Sequence, residues 1–194
     1  MRPLRYVPVL LAIVAMSLSC TSRNGSSIEE GEPLYTPDYA SGFSITAYGK
    51  SSILSIKNPW QGARAVEMKL FLPRNGQTPP TGFAGIVAAA PLRKLVCMSS
   101  SYIASMDAIG DIDAVKGVSG ARYISNNTIR ARFVRGEVRD VGYVNHLNYE
   151  LITLLQPDLV LAYGVADENT ALSRKLSELG IKILYIGDYV EQSP

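Results

Sequence analysis

Histidine is all but missing from this sequence: His146 is the only one in 194 residues, beside two cysteines and one tryptophan. A single histidine cannot form a metal site unaided, and Cys20 and Cys97 fall in no CxxC or Cys/His pattern, so neither zinc ligation nor a disulfide framework is expected. A Ser-His-Asp relay would have to join His146, in a loop, to an unmarked serine. Phosphate-cradling loops are lacking too. Gly117-Val118-Ser119-Gly120 has the wrong spacing for a dinucleotide turn, and no GxxxxGK[ST] or GxSxG occurs. No charge run of one sign exists: 19 basic and 17 acidic residues are interspersed, with a net charge of +2 and no basic-aromatic stripe for nucleic acid. Asp111 and Asp113 flank a helix end and read as solvated turn residues rather than an acid–base pair. The expectation is a non-enzyme with no cofactor, no metal and no nucleic-acid partner.

What is present starts with an address. Arg2 and Arg5 precede an apolar stretch from Tyr6 to Met16, then Ser17-Leu18-Ser19-Cys20. This is the layout of an export signal. Its core, roughly 16 Å long as a helix, is too short for a hydrocarbon layer of about 30 Å. A cysteine directly after a small residue resembles a bacterial lipoprotein signal, with Ser17 where leucine is usual. That resemblance implies a signal peptide over 1–20, lipidation at Cys20 and anchoring at a membrane in the periplasm or cell envelope. Ordinary cleavage and release is the alternative. Residues 21–40, rich in Ser, Gly, Glu and Pro, read as a flexible tether.

The remainder divides by its grammar. From 41 to 91, period-two apolar runs at Phe43–Ala47, Ile53–Ile56 and Val66–Leu72, broken at Gly49-Lys50 and Asn58-Pro59-Trp60-Gln61-Gly62, predict a small antiparallel β unit. Gly85 to Ala90 is a candidate fourth strand. From 92 to 194 short apolar strands alternate with helices. Leu95–Met98, with Cys97 as a small buried hydrophobe, leads into Ser99-Ser100-Ser101, a helix-capping run, and Gly110 ends that helix. Ala114–Val118 is a strand, Arg122–Arg135 is ambiguous with a helical reading open, and Arg139–Gly142 is a very short strand. Asn148 caps a helix stopped by Pro157. Leu159–Ala162 lacks alternation, as a strand buried on both faces does. Ala171–Leu179 is a helix and Ile181–Ile186 the last strand. The fold class is therefore α/β: an open, mostly parallel sheet lobe preceded by the antiparallel unit, with ligand expected beyond the carboxyl ends of the strands. Those ends point Ser100, Ser101 and Tyr102 toward the cleft, with Tyr143, Tyr163 and Gly164 from neighbouring edges. Tyrosine offers a flat apolar face and a hydroxyl suited to a macrocycle or a metal chelate.

Four stretches carry a resemblance. They are Arg93–Ser99; Met106–Asp111 with Val115–Val118; Leu147-Asn148-Tyr149-Glu150 running on to Gln156-Pro157-Asp158-Leu159-Val160-Leu161-Ala162; and Leu176–Leu184. In order and separation they resemble the cobalamin, siderophore and haem branch of the periplasmic solute-binding proteins, over residues 40 to 194. Gln156 stands where that family has lysine, and Asn58-Pro59-Trp60-Gln61-Gly62 is similar to the Bacteroidetes lipoproteins of this kind. The resemblance implies a two-lobed binder joined by a rigid helix, with only the N-terminal lobe in this chain and the second lobe absent. It implies capture of an iron–siderophore, haem or corrinoid complex for an ABC permease, with Glu150 pairing with arginines of that permease. Without the family, Glu150 is equally a helix-capping acid. A truncated remnant that binds nothing and an α/β enzyme with an unrecognised site are the competing readings.

Overall fold

The computed structural model describes residues 31–143, 146–164 and 168–191, with the backbone alone for 168–170. Cys20 and the expected signal segment lie outside these residues. Among the described residues no helix is long and apolar enough to cross a membrane.

Strands β1 (Pro33–Tyr35), β2 (Phe43–Tyr48), β3 (Ser51–Lys57), β4 (Glu67–Leu72) and β5 (Ile86–Val87) form one sheet in sequence order. The first four pair antiparallel and β5 joins β4 in parallel. Gly49, at φ +58°, supplies the left-handed residue of the tight β2–β3 turn. One strand departs from the sequence reading, since β1 falls inside the stretch assigned to the tether. Pro33-Leu34-Tyr35 has too few residues for an alternation to be read, and its order comes from pairing with the strand that follows it. The open edge of β2 pairs with it, and the Tyr35 ring stacks on Phe43 at 6.2 Å.

The second sheet takes up β6 (Leu95–Cys97), β7 (Val115–Val118), β8 (Arg139–Asp140), β9 (Leu159–Ala162) and β10 (Ile183–Tyr185), all parallel, in the order β10-β9-β6-β7-β8. Between them run α1 (Ser100–Ala108), α2 (Asn127–Val134), α3 (Tyr149–Leu155) and α4 (Glu168–Glu178). The ambiguous stretch resolves as a 3-10 turn followed by α2, which Asn126 caps by accepting the Ile129 N–H. The chain starts in the middle of the sheet, works outward through β7 and β8, then returns to the other side of β6 for β9 and β10. Leu95, Cys97, Leu159, Leu161 and Leu184 face one core with Ile103 of α1 and Ile129 of α2. Val96, Met98, Val160, Ala162, Ile183 and Tyr185 face the other with Ile152 of α3 and Leu172 and Leu176 of α4. Burial on both faces is why these strands read as unbroken apolar runs.

The antiparallel unit is packed onto this lobe. Ile56 and Leu70 join the first core, β4 lies beside β10, and Trp60 sits edge-on to Tyr185 at 5.5 Å. Asp158 has a structural use: its Oδ2 accepts the N–H groups of Arg93 (2.7 Å) and Lys94 (2.9 Å), fixing the start of β9 against the start of β6. Gly117 is close-packed, since a Cβ there would lie 3.0 Å from Val96 and 3.1 Å from Leu155 and Val141. A side chain there would push Leu155 of α3 and its neighbours outward from β7.

Candidate functional site

The strand order reverses between β6 and β9. The segment after β6 leaves over one face of the sheet and α4, after β9, lies on the other, so their carboxyl ends splay apart and leave a crevice. A cleft of about 630 Å³ opens there. One wall is Ser99 and Ser101 at the entry to α1, with Tyr163 and Gly164 after β9. Ser99 caps α1 by accepting the Ser101 N–H, and the two hydroxyls lie 2.9 Å apart. The opposite wall is Gln61 and Gly62 from the antiparallel unit, with Asp188 and Tyr189 from the segment after β10. Tyr189 stitches the walls together: its hydroxyl accepts the Gln61 N–H (3.2 Å) and donates to the Gly164 carbonyl (2.7 Å). Close packing holds the turn in place, for a Cβ at Gly187 would lie 2.6 Å from the Pro59 carbonyl oxygen. Glu191 accepts the N–H groups of Ser41 (3.1 Å) and Gly42 (2.7 Å), tying down the end of the same segment.

Of the six ligand residues expected from sequence, Ser101, Tyr163 and Gly164 meet in this cleft. The other three do not. Tyr102 is 4% exposed and its hydroxyl donates to the Ile186 carbonyl at 2.8 Å, so it braces the core. One residue along a helix is a rotation of about 100°, which separates the cleft-facing Ser101 from the inward Tyr102. Ser100 turns toward a different hollow, between α1 and the Ile124–Asn126 loop. Tyr143 sits at the far edge of the sheet, against Tyr123 and over Gly120. Sequence reasoning missed Gln61, Gly62, Asp188 and Tyr189 as lining residues. Asn58-Pro59-Trp60-Gln61-Gly62 was visible as a break, but only the packing of β4 beside β10 carries it to the cleft.

Glu150 is exposed in the first turn of α3, where Asn148 caps the helix by accepting the Leu151 N–H at 2.9 Å. No described side chain pairs with its carboxylate. His146 is exposed, its backbone N–H donating to the Tyr143 carbonyl. Cys97 is buried in the sheet, and burial pushes its thiol pKa up to about 12. Among the described residues no group of His, Cys, Asp and Glu could hold a metal ion. The cleft presents hydroxyls, one carboxylate and two tyrosine rings, a set that can grip a polar-rimmed aromatic guest.

No known protein-family profile matches the chain. An uncharacterized lipoprotein of Methanocaldococcus jannaschii is 27% identical over 179 residues, covering 80% of this chain and 42% of that protein. Among solved structures, the periplasmic vitamin B12 binding protein of Vibrio cholerae is 23% identical, with a TM-score of 0.35 over 48% of this chain and 34% of its own. A periplasmic binding protein from Veillonella parvula is 14% identical, with a TM-score of 0.40 over 70% of this chain and 38% of its own. An ABC-type Fe3+-hydroxamate transport system from Saccharomonospora viridis is 26% identical, with a TM-score of 0.34 over 53% of this chain and 36% of its own. The chain spans less than half the length of each of these four proteins.

Proposed function

We propose that the cleft between the carboxyl ends of β6 and β9 is one wall of a solute-binding site. In this reading residues 92–194 form the first lobe of a two-lobed binder in the cell envelope, lipid-anchored through Cys20. It captures an iron–siderophore, haem or corrinoid complex and hands it to an ABC permease that docks at Glu150. The observation that carries the reading is the position of the cleft. It lies at the reversal of strand order, where open parallel sheets take their ligands. Its Tyr163 and Tyr189 rings suit a large, flat or macrocyclic guest. The lipoprotein relative supports the anchor. A cleft open on one side leaves half of a guest in water, which is why a second lobe belongs to the proposal.

Trp60 offers the test. It is the chain's one tryptophan and lines a hollow that shares Gln61, Gly62 and Tyr189 with the cleft. Its fluorescence should be quenched saturably by one of haemin, cyanocobalamin and a ferric hydroxamate. Tyr163→Ala should weaken that binding about 2- to 12-fold, the equivalent of ~0.5–1.5 kcal/mol for a lost ring contact. Linear, unsaturable quenching by all three would overturn the assignment, as would full affinity in the alanine variant.

A further inference from the structure

A second concavity lies toward the β8 edge of the parallel sheet, away from the cleft between β6 and β9. Arg122, Arg130, Phe133, Val134, Asp140 and Tyr143 line a hollow of about 590 Å³. Val134 is 85% exposed, Tyr143 43% and Phe133 42%, so apolar side chains that ordinarily bury stand together in solvent. Arg122 holds its guanidinium 4.5 Å over the Tyr123 ring, which is tilted against Tyr143 at a centroid distance of 6.1 Å. The Tyr143 ring is itself seated on Gly120, where a Cβ would come within 2.7 Å of it.

The charges in this hollow are unbalanced. Arg132 and Arg135, nearby on the chain, are paired with Asp113 and Glu137. Among the described residues neither Arg122 nor Arg130 has a carboxylate within ion-pair distance. The one acid on the wall, Asp140, turns its oxygens to the backbone. Its Oδ1 accepts the N–H groups of Gly120 and Gly142, both at 3.0 Å, and its Oδ2 accepts that of Ala121 at 2.9 Å. Two guanidinium groups and two aromatic rings therefore face a space within the range of about 300–1,000 Å³ that small molecules occupy.

We propose that this hollow is a second binding site, taking a flat aromatic molecule that bears a carboxylate. Arg122 and Arg130 meet the carboxylate, whose planar geometry matches a guanidinium fork. Phe133 and Tyr143 cover the ring, and the stacked Tyr123 keeps Arg122 in place at little entropic cost. The inference stands apart from the solute-binding reading, since none of these residues lines the cleft between β6 and β9.

The test titrates the whole 15N-labelled chain with 2-naphthoate and, separately, with uncharged 2-naphthalenemethanol, following amide shifts by NMR. Naphthoate should move the Arg122, Tyr123 and Tyr143 signals and bind at least about tenfold more tightly than the alcohol. The double variant Arg122→Gln/Arg130→Gln should lose about tenfold or more in naphthoate affinity, whereas Tyr163→Ala in the cleft should leave it unchanged. Both arginines are exposed, so the double variant should keep the parent amide spectrum away from the hollow. Equal binding of acid and alcohol, shifts confined to the Tyr163 cleft, or no binding would each overturn the proposal.

Discussion

Replacing Tyr102 by phenylalanine removes one oxygen from the inside of the lobe. The ring is 4% exposed, and its hydroxyl donates at 2.8 Å to the carbonyl of Ile186, just before Asp188 and Tyr189 of the cleft wall. A hydrogen bond of this type contributes about 1 kcal/mol net, and stranding its acceptor adds up to about 1–3 kcal/mol. Ile186 is only half-buried, so water offsets part of the second figure, and the expected loss is about 1–2 kcal/mol. For a chain of this size that lowers Tm by about 2–8 °C, to be read by calorimetry of parent and variant side by side. Burial, reinforced by the negative charge of Asp188, raises the Tyr102 pKa above its ordinary value. With the folded pKa raised, the contribution is fully present below the unfolded value of about 10 and is lost as pH climbs beyond it. The Tm difference should therefore be flat from pH 7 to about 10 and shrink above that. A Tm change below about 1 °C would mean that the Ile186 carbonyl finds another partner at no cost, and the bracing role would be refuted. A loss as large as that of Tyr102→Ala would mean that the ring itself had moved.

Other outcomes follow from the same packing and from the proposed role. In a Cys20→Ala background, Cys97 should be inert to a chromogenic disulfide reagent at pH 8, because a thiol with a pKa of about 12 is ionised in roughly one molecule in ten thousand there. Rapid labelling without denaturant would contradict its burial. Cys20→Ala alone should move the protein from the membrane fraction to the soluble one, and unchanged retention would place the anchor elsewhere. Glu150→Arg in the full-length protein should slow solute uptake while leaving solute affinity intact, as expected of a charge that orients docking. Equal loss of both would remove the docking role.

The parallel sheet was legible because its strands are buried on both faces and its helices carry local stop and start signals. Leu159–Ala162 and Leu95–Cys97 show no alternation, Asn148 and Ser99 are capping residues, and Gly180, at φ +70°, ends α4. The strand order was not legible, since nothing local in Leu159–Ala162 says that it returns to the far side of β6. Only that return creates the cleft. Site residues on the lobe itself were half readable. Tyr163 and Gly164 directly follow a strand end, which fixes their direction, whereas in α1 the helical rotation sends Ser100, Ser101 and Tyr102 three different ways. The contribution of Gln61 and Gly62 arises from contact between two sheets far apart in sequence, for which no periodicity exists to be read.

Amide hydrogen exchange of the full-length protein, with and without whichever solute quenches Trp60, addresses the cleft most directly. Bound solute should slow exchange at 99–101, 163–164 and 61–62, and leave the amino ends of the strands, at Lys94 and Lys182, unchanged. Protection at those amino ends, with none around Tyr163, would show that the solute lies elsewhere and that the crevice between β6 and β9 is not its site.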